Sequence, residues 1–565
     1  MPLKSMVHFR RLTLLVLLFA AGCNSTPGDF DVVIRGGDVY DGLGGQPIRA
    51  DVALNDDRIA EIGDLGAFSG TIEIDARGLA VAPGFINMLS WATESLLEDG
   101  RGMSDIKQGV TLEVMGEGTS MGPLNDVMKQ EMFDHLGSLR YDIEWTTLGE
   151  YLEHLEHRGV SPNVASYVGA TTLRIHEVGY DDRSATAEEL NRMQDLARQA
   201  MREGAMGIGS SLIYAPASFA STDELIALVR AAAEYDGTYI SHIRSEGNRL
   251  EEGVQELIKI ASLTGAPAEI YHLKASGKEN WHKLSNVFDM IEAARAAGLF
   301  ITADMYNYTA GSTGLDATMP VWVQAGGHDA WVENLKDPAI RARVVAEMKS
   351  PTNDWENFFV AAGPENILLA GFRNEALRPL IGKTLQEVAD EREMDAAETA
   401  IDLVIEDDSR VDAVFFLMSE ENIRRKIVKD WISFGSDAAA VATEGVFLES
   451  GPHPRTYGNF ARVLGKYVRE EKLLKLEEAI RRMTSLPAAN IGVLERGELR
   501  AGFYADVVVF DPERIADNAT FEEPHQYATG MRHVFVNGTQ VLEDGRHTGA
   551  TPGRVVRGPG WDGWL

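Results

Sequence analysis

The stretch Tyr239-Ile240-Ser241-His242-Ile243-Arg244-Ser245-Glu246-Gly247 decides the architecture of this chain. A short run of strand-forming residues delivers a histidine and a polar turn follows. From Asn248 onward the sequence takes on the three-and-four spacing of a helix. A strand that ends on a functional side chain and turns into a helix is the unit from which a (β/α)8 barrel builds its active face. The plan recurs in AEIYHLKASG, which brings His272 to a strand end, and in WISFGSDAAA, which does so for Asp437. Two histidines and one aspartate on three strand ends can converge on a metal ion.

Working outward, further short apolar segments begin at Gly84, Gly109, Asn163, Ala205 and Leu299. With those beginning at Thr238, Ala268 and Trp431 they make eight strands in β-then-α order, which predicts an α/β fold of the TIM-barrel type. Thr186 with Glu189 and Ser221 with Glu224 have capping-box spacing at two helix starts. A phosphate-binding GxxxxGK[ST] loop does not occur, and GxGxxG occurs only as GPGWDG at the C-terminus, with no room for a following helix. Short alternating strands occupy both ends of the chain, and Asn537-Gly538 between apolar runs signals a two-residue hairpin. The expected plan is a leader over 1–23 and a small β-sandwich built from 24–83 and 491–550. The barrel takes 84–490, with a helical insertion at about 309–419, and 551–565 form a tail.

The 565 residues carry a formal net charge of −33, dispersed along the chain. That balance argues against nucleic acid and anionic membrane surfaces as partners. The single cysteine, Cys23, follows a basic start and a short apolar run, and Ala20-Ala21-Gly22-Cys23 is similar to a bacterial lipobox. The expectation is a lipoprotein with a lipidated Cys23, tethered to membrane and facing the periplasm, with ordinary signal cleavage or an uncleaved N-terminal anchor as the alternatives. No disulfide can form within the chain.

The motifs VAPGFIN, QGVTLEVMGEG, SHIRSEGNRL, HLKASG, ADMYNYTAGSTGL, GSD, HPRTYGNFARVL and RGELRAGFYADVVVFD fall in order from Val81 to Asp511. In these the chain resembles the N-acyl-D-amino-acid deacylase (D-aminoacylase) family of the amidohydrolase superfamily. The resemblance implies a hydrolase of N-acyl amino acids in which His242 and His272 hold a tightly bound metal. It implies that Asp437 moves protons and can touch a second metal. Lys274 and Arg455 would grip the substrate carboxylate, with Tyr306 or Tyr308 hydrogen-bonding beside it.

Two departures from the family pattern stand out. The first strand, which ends in His-x-His in the family, reads Asn87-Met88-Leu89-Ser90-Trp91 here, so Leu89 and Trp91 occupy the histidine positions. Where family members often carry a metal-binding cysteine, this chain offers Glu117, one position earlier. A carboxylate can ligate zinc. The expectation is therefore a single ion, zinc with manganese or cobalt as alternatives, held by Glu117, His242 and His272 with Asp437 beside it. Blander roles remain open: Asp437 as a helix N-cap, Glu117 as part of a tight polar loop, Lys274 and Arg455 as surface charges. His154 and His157 belong to a solvated helix face, and His453 orients its own loop. At the level of function, a non-catalytic ligand-binding barrel and a hydrolase of a cyclic amide or ester are the alternatives.

Overall fold

The computed structural model describes residues 28–564. The expected leader and Cys23 lie outside the described residues. Seven strands pair in parallel and in chain order: Phe85–Asn87, Val110–Met115, Asn163–Ser166 continued by Val168–Gly169, Gly207–Ser211, Thr238–His242, Ala268–Ile270 and Ile301–Ala303. The eighth position is filled by residues 432–438, stitched between the seventh strand and the first. Ile432 bridges Ala303, the Ser433 N–H donates to Ala303 O, the Asp437 N–H donates to Leu89 O (both 2.9 Å), and Ala438 bridges Ser90. This segment is irregular because it crowds the first strand: a Cβ on Gly435 would lie 2.9 Å from the Leu89 nitrogen.

Side-chain alternation does the rest. Ile240 packs inside the barrel with Leu112, Ala165 and Met206, while Tyr239, Ile208, Ile270 and Ile301 face the surrounding helices. His242, two residues beyond Ile240, is thereby carried to the inner face at the barrel mouth. Thr186 and Glu189 form the expected reciprocal cap on helix Ala187–Arg202. At helix Thr222–Ala233 only half of the box forms: Ser221 accepts from the Glu224 N–H, but the Glu224 carboxylate turns away to pair with buried Arg174 at 2.9 Å.

Both chain ends contribute to one nine-stranded sheet beside the barrel. In its strand Val507–Phe510, Val507 and Val509 join the sheet's own core with Val52, Ile59 and Phe535. Val508 and Phe510 face the barrel. The hairpin at Asn537-Gly538 forms with both residues at positive φ (48° and 77°), as a type I′ turn requires. Any Cβ on Gly538 would strike the Asp56 carbonyl. The segment expected to be a helical insertion has a core of its own (Leu335, Val344, Ile401, Phe415). It also contains an antiparallel three-stranded sheet of Ala310–Gly314, Asp412–Phe416 and Ile367–Gly371. Of the three, Ala310–Gly314 gave no strand signal, because AGSTG lacks the bulky β-branched pattern that marks a strand. Among the described residues no helix is long and apolar enough to cross a membrane.

Barrel and sheet are locked by a buried polar network. Arg496 pairs with Asp506 and donates to Asn537 Oδ1 (2.8 Å), while Asn537 Nδ2 donates to Asn163 Oδ1 (2.8 Å) on the third barrel strand. Removing one member of a buried ion pair strands the other charge. Arg496→Met is therefore expected to lower unfolding stability by about 3–5 kcal/mol, read as a fall in the urea midpoint. An unchanged midpoint would show the network to be dispensable.

Candidate metal centre and active site

Glu117 follows the second strand between two glycines at positive φ, Gly116 (107°) and Gly118 (70°). A Cβ on Gly116 would lie 2.4 Å from Tyr167 O, and one on Gly118 2.6 Å from the Ser211 Cβ. The loop is thus wedged against the third and fourth strands, and its tightness drives the carboxylate inward. His242 Nδ1 lies 3.0 Å from Glu117 Oε1 and His272 Nε2 lies 3.1 Å from the same oxygen. All three side chains are buried, at 3–4% exposure. Among the described residues, Glu117, His242 and His272 form the one group of three or more potential ligands able to hold a metal ion together, their donor atoms all within 4.8 Å of one another.

The donor set fits a divalent cation. A tetrahedral zinc with bonds near 2.1 Å spaces its ligands by about 3.4 Å, close to the separations here. The distal nitrogen of His272 has the kind of carboxylate neighbour that metal-ligating histidines use. One carboxylate, Glu246, stands 3.1 Å from His272 Nδ1 and 3.4 Å from His242 Nε2, but it makes no directed hydrogen bond to the latter, which has no hydrogen-bond partner among the described residues. Burial alone would raise the Glu117 carboxyl, but His272 and His242 outweigh it and hold the group well below the usual carboxylate range. Burial and neighbouring Lys274 press His272 downward; Glu246 and Glu117 overcome both and push its imidazolium up to about 10. His272 also has φ +36° and Asp437 φ +52°, backbone conformations that a fold retains only where its surroundings over-determine them. The His272 N–H is held by Asp304 Oδ1 at 2.9 Å.

These groups open into a cavity of about 640 Å³ lined by Glu117, His242, His272, Lys274, Tyr306, Asp437 and Arg455. Asp437 is 11% exposed, with Oδ2 2.8 Å from Arg455 Nη1. No helix starts at the residues directly following Asp437, the next helical turn being Gly445–Glu449, so a capping role is removed. Burial raises the Asp437 carboxyl above its ordinary range, against the opposing pull of Arg455. Arg455 is buried; its Nη1 meets the Asp437 carboxylate and its Nη2 donates to Ser312 O (3.5 Å), while its Nε has no hydrogen-bond partner among the described residues. The Tyr306 hydroxyl is buried and has no hydrogen-bond partner among the described residues, and its ring centre lies 4.5 Å from the Arg455 guanidinium. Lys274 is no surface charge: its Nζ lies 2.7 Å from Glu246 Oε1 and 2.6 Å from His272 Nδ1.

Tyr308 does not belong here. Its hydroxyl donates to Asp517 Oδ2 at 2.8 Å, behind the cavity wall, so of the two tyrosines Tyr306 alone faces the site. His453 orients its loop as expected, accepting the Arg455 N–H at Nδ1 (3.0 Å) and contacting Ala310 O through Nε2 (2.9 Å). Sequence reasoning missed Glu246 and Asp304. Glu246 lies four residues beyond His242 in the same quoted motif, a usable signal. The vacated first-strand pair splits in two: Leu89 is fully buried in the barrel interior, whereas the Trp91 indole N–H lies 3.1 Å from Glu117 Oε2 and 3.2 Å from Asp437 Oδ1.

A closed barrel with carboxylate and imidazole donors gathered at its strand ends is the architecture of a metal-dependent barrel hydrolase. The sequence matches the amidohydrolase family over residues 73–542. It is 34% identical to D-aminoacylase of Alcaligenes xylosoxydans xylosoxydans over 531 residues, 93% of this chain and 97% of the relative. A solved D-aminoacylase, with a binuclear metal centre described as showing one-metal activation and second-metal attenuation, superposes with a TM-score of 0.78 at 34% identity, covering 94% of this chain and 100% of that one. N-acyl-D-glutamate deacylase of Bordetella bronchiseptica, complexed with zinc and a phosphonate mimic of the tetrahedral intermediate, gives 0.76 at 31% identity, covering 94% and 99%. The chain belongs to the amidohydrolase family, and the D-aminoacylase resemblance carried by its eight motifs holds.

Two outcomes follow from the geometry. With His272 protonated up to about pH 10, metal uptake at pH 7–8 must expel that proton, so affinity rises about tenfold per pH unit below that value. Calorimetry in buffers of different ionisation enthalpy should count about one proton released per ion; none released would contradict the assignment of His272. Tyr308→Phe should leave substrate KM unchanged, while Tyr306→Phe raises it several-fold, by about 1 kcal/mol of lost hydrogen bonding.

Proposed function

We propose that this protein hydrolyses the amide bond of N-acyl-D-amino acids, releasing a carboxylic acid and the free D-amino acid, with one zinc ion held by Glu117, His242 and His272. The observation that carries this is the buried Tyr306 hydroxyl, with no hydrogen-bond partner among the described residues, under a buried Arg455 whose Nε has none either, beside that three-ligand cluster. Buried polar groups left unpaired are costly, and a substrate carboxylate would satisfy both. Arg455 suits this role because its planar fork matches a carboxylate.

The ion supplies Lewis acidity toward the amide carbonyl and lowers the pKa of water. The chain's own residues do the rest. Arg455 and Tyr306 bind the carboxylate and fix the scissile amide at the barrel mouth, and Lys274 adds positive charge on the same wall. Asp437 accepts a proton from the attacking water and returns it to the departing nitrogen. Burial raises its carboxyl above the ordinary range, the direction a group that both takes and returns a proton needs. Glu246 orients the His272 ring and adds negative charge beside His242. The non-catalytic alternative is disfavoured because every polar member of the set still points into one cavity, where idle buried charge would be a standing cost.

The sequence similarity to a lipobox supports anchoring through Cys23 on the periplasmic side of a bacterial envelope. Cys23→Ser should move the protein from the membrane to the soluble fraction.

The activity test is amine release from matched N-acetyl-D- and N-acetyl-L-amino acids. Turnover should favour the D series, vanish on chelation and return with zinc. Asp437→Asn should lower kcat by about 10²–10⁴-fold. Turnover that survives complete metal removal, or a preference for the L series, would overturn the proposal.

A further inference from the structure

The first barrel strand ends on a tryptophan whose position is fixed on both sides. The Ser90 N–H donates to Val114 O on the second strand (2.9 Å), and the Trp91 N–H of the main chain donates to Ala438 O of the closing segment (3.0 Å). The indole is thereby set at the cavity wall with its ring N–H aimed between two carboxylates, Glu117 Oε2 at 3.1 Å and Asp437 Oδ1 at 3.2 Å. Glu117 thus divides its oxygens: Oε1 faces both histidines and Oε2 faces the indole.

A point within about 3 Å of two carboxylate oxygens is where a second divalent cation would settle, since hard cations seek such oxygens. Here a neutral group stands there instead. An indole nitrogen is a donor only and offers no lone pair to a metal. The other vacated position, Leu89, is apolar and fully buried. The repulsion between Glu117 and Asp437 is balanced without a second ion, by Arg455 at 2.8 Å on Asp437 Oδ2 and by His242 and His272 on Glu117.

We infer that the Trp91 indole N–H takes the place of a second cation, restricting the centre to one ion and orienting Asp437 toward the substrate. The inference rests on the single-ion reading of Glu117, His242 and His272. It makes Trp91 a positioning residue and predicts that excess metal does not depress activity, in contrast to the second-metal attenuation described for a related D-aminoacylase.

The test uses the full chain, metal-stripped and then equilibrated with zinc or cobalt, as wild type, Trp91→Phe and Trp91→His. Elemental analysis and the cobalt absorption spectrum should saturate at one ion per wild-type chain, and activity should hold as zinc is raised further. Trp91→Phe keeps an aromatic ring but loses the N–H: it should still bind one ion, with kcat reduced about tenfold and KM changed far less. Trp91→His should take up a second ion and lose activity as zinc rises. A wild-type chain holding two ions would overturn the inference while leaving the three-residue site standing, as would Trp91→Phe with full kcat or Trp91→His held at one ion. A wild-type chain holding none would overturn the single-ion reading itself. One bound ion without amide hydrolysis would sink the proposed reaction and leave the metal count, and with it the role of Trp91 in exclusion, in force.

Discussion

One carboxylate oxygen, Glu117 Oε1, sits about equally far from two imidazole nitrogens that arrive from different strands. The second, fifth and sixth strands must all keep register for that meeting to occur, and a slip of one residue in any would turn its side chain to the opposite face. The glycines flanking Glu117, the left-handed backbone at His272 and the Asp304 hydrogen bond beneath it all serve the same convergence. Strain and close approach are concentrated where three strand ends must aim at one point.

The charge arrangement follows from that point. Glu117 and Glu246 are acids buried against His242, His272 and Lys274, and Asp437 is held by Arg455. Each buried charge has an opposite partner within reach, as low-dielectric surroundings demand. Those partners are also the groups a metal and a substrate carboxylate would engage, so ligand binding exchanges one set of pairings for another rather than exposing bare charge. The first-strand departure fits the same logic. Where a histidine pair would bring lone pairs for another cation, Trp91 brings a hydrogen that both neighbouring carboxylates can share.

Much of this was legible in the chain. His242, His272 and Asp437 could be placed because each closes a short apolar run before a polar turn, and the barrel makes such positions converge. Glu117 was legible as the nearest donor to an absent cysteine. Glu246 was not, because its contact depends on how the turn after His242 folds back. Nor was the choice between Tyr306 and Tyr308: alternation would put both on one side, but the seventh strand ends at Ala303 and the chain beyond it no longer alternates. Leu89 and Trp91 read as a loss of ligands; that one would sink into the interior while the other aimed an N–H at Glu117 is a matter of side-chain direction that sequence does not carry. In the insertion, strands as glycine-rich as Ala310–Gly314 owe their existence to tertiary pairing with Asp412–Phe416.

The account stands on three donors gathered around one cation. The most direct measurement is anomalous diffraction at the zinc edge from crystals of the zinc-equilibrated protein. A single strong peak among Glu117, His242 and His272, with the Trp91 ring in place, is the predicted result. No peak there, or a peak bound elsewhere while those three side chains keep to one another, would contradict it.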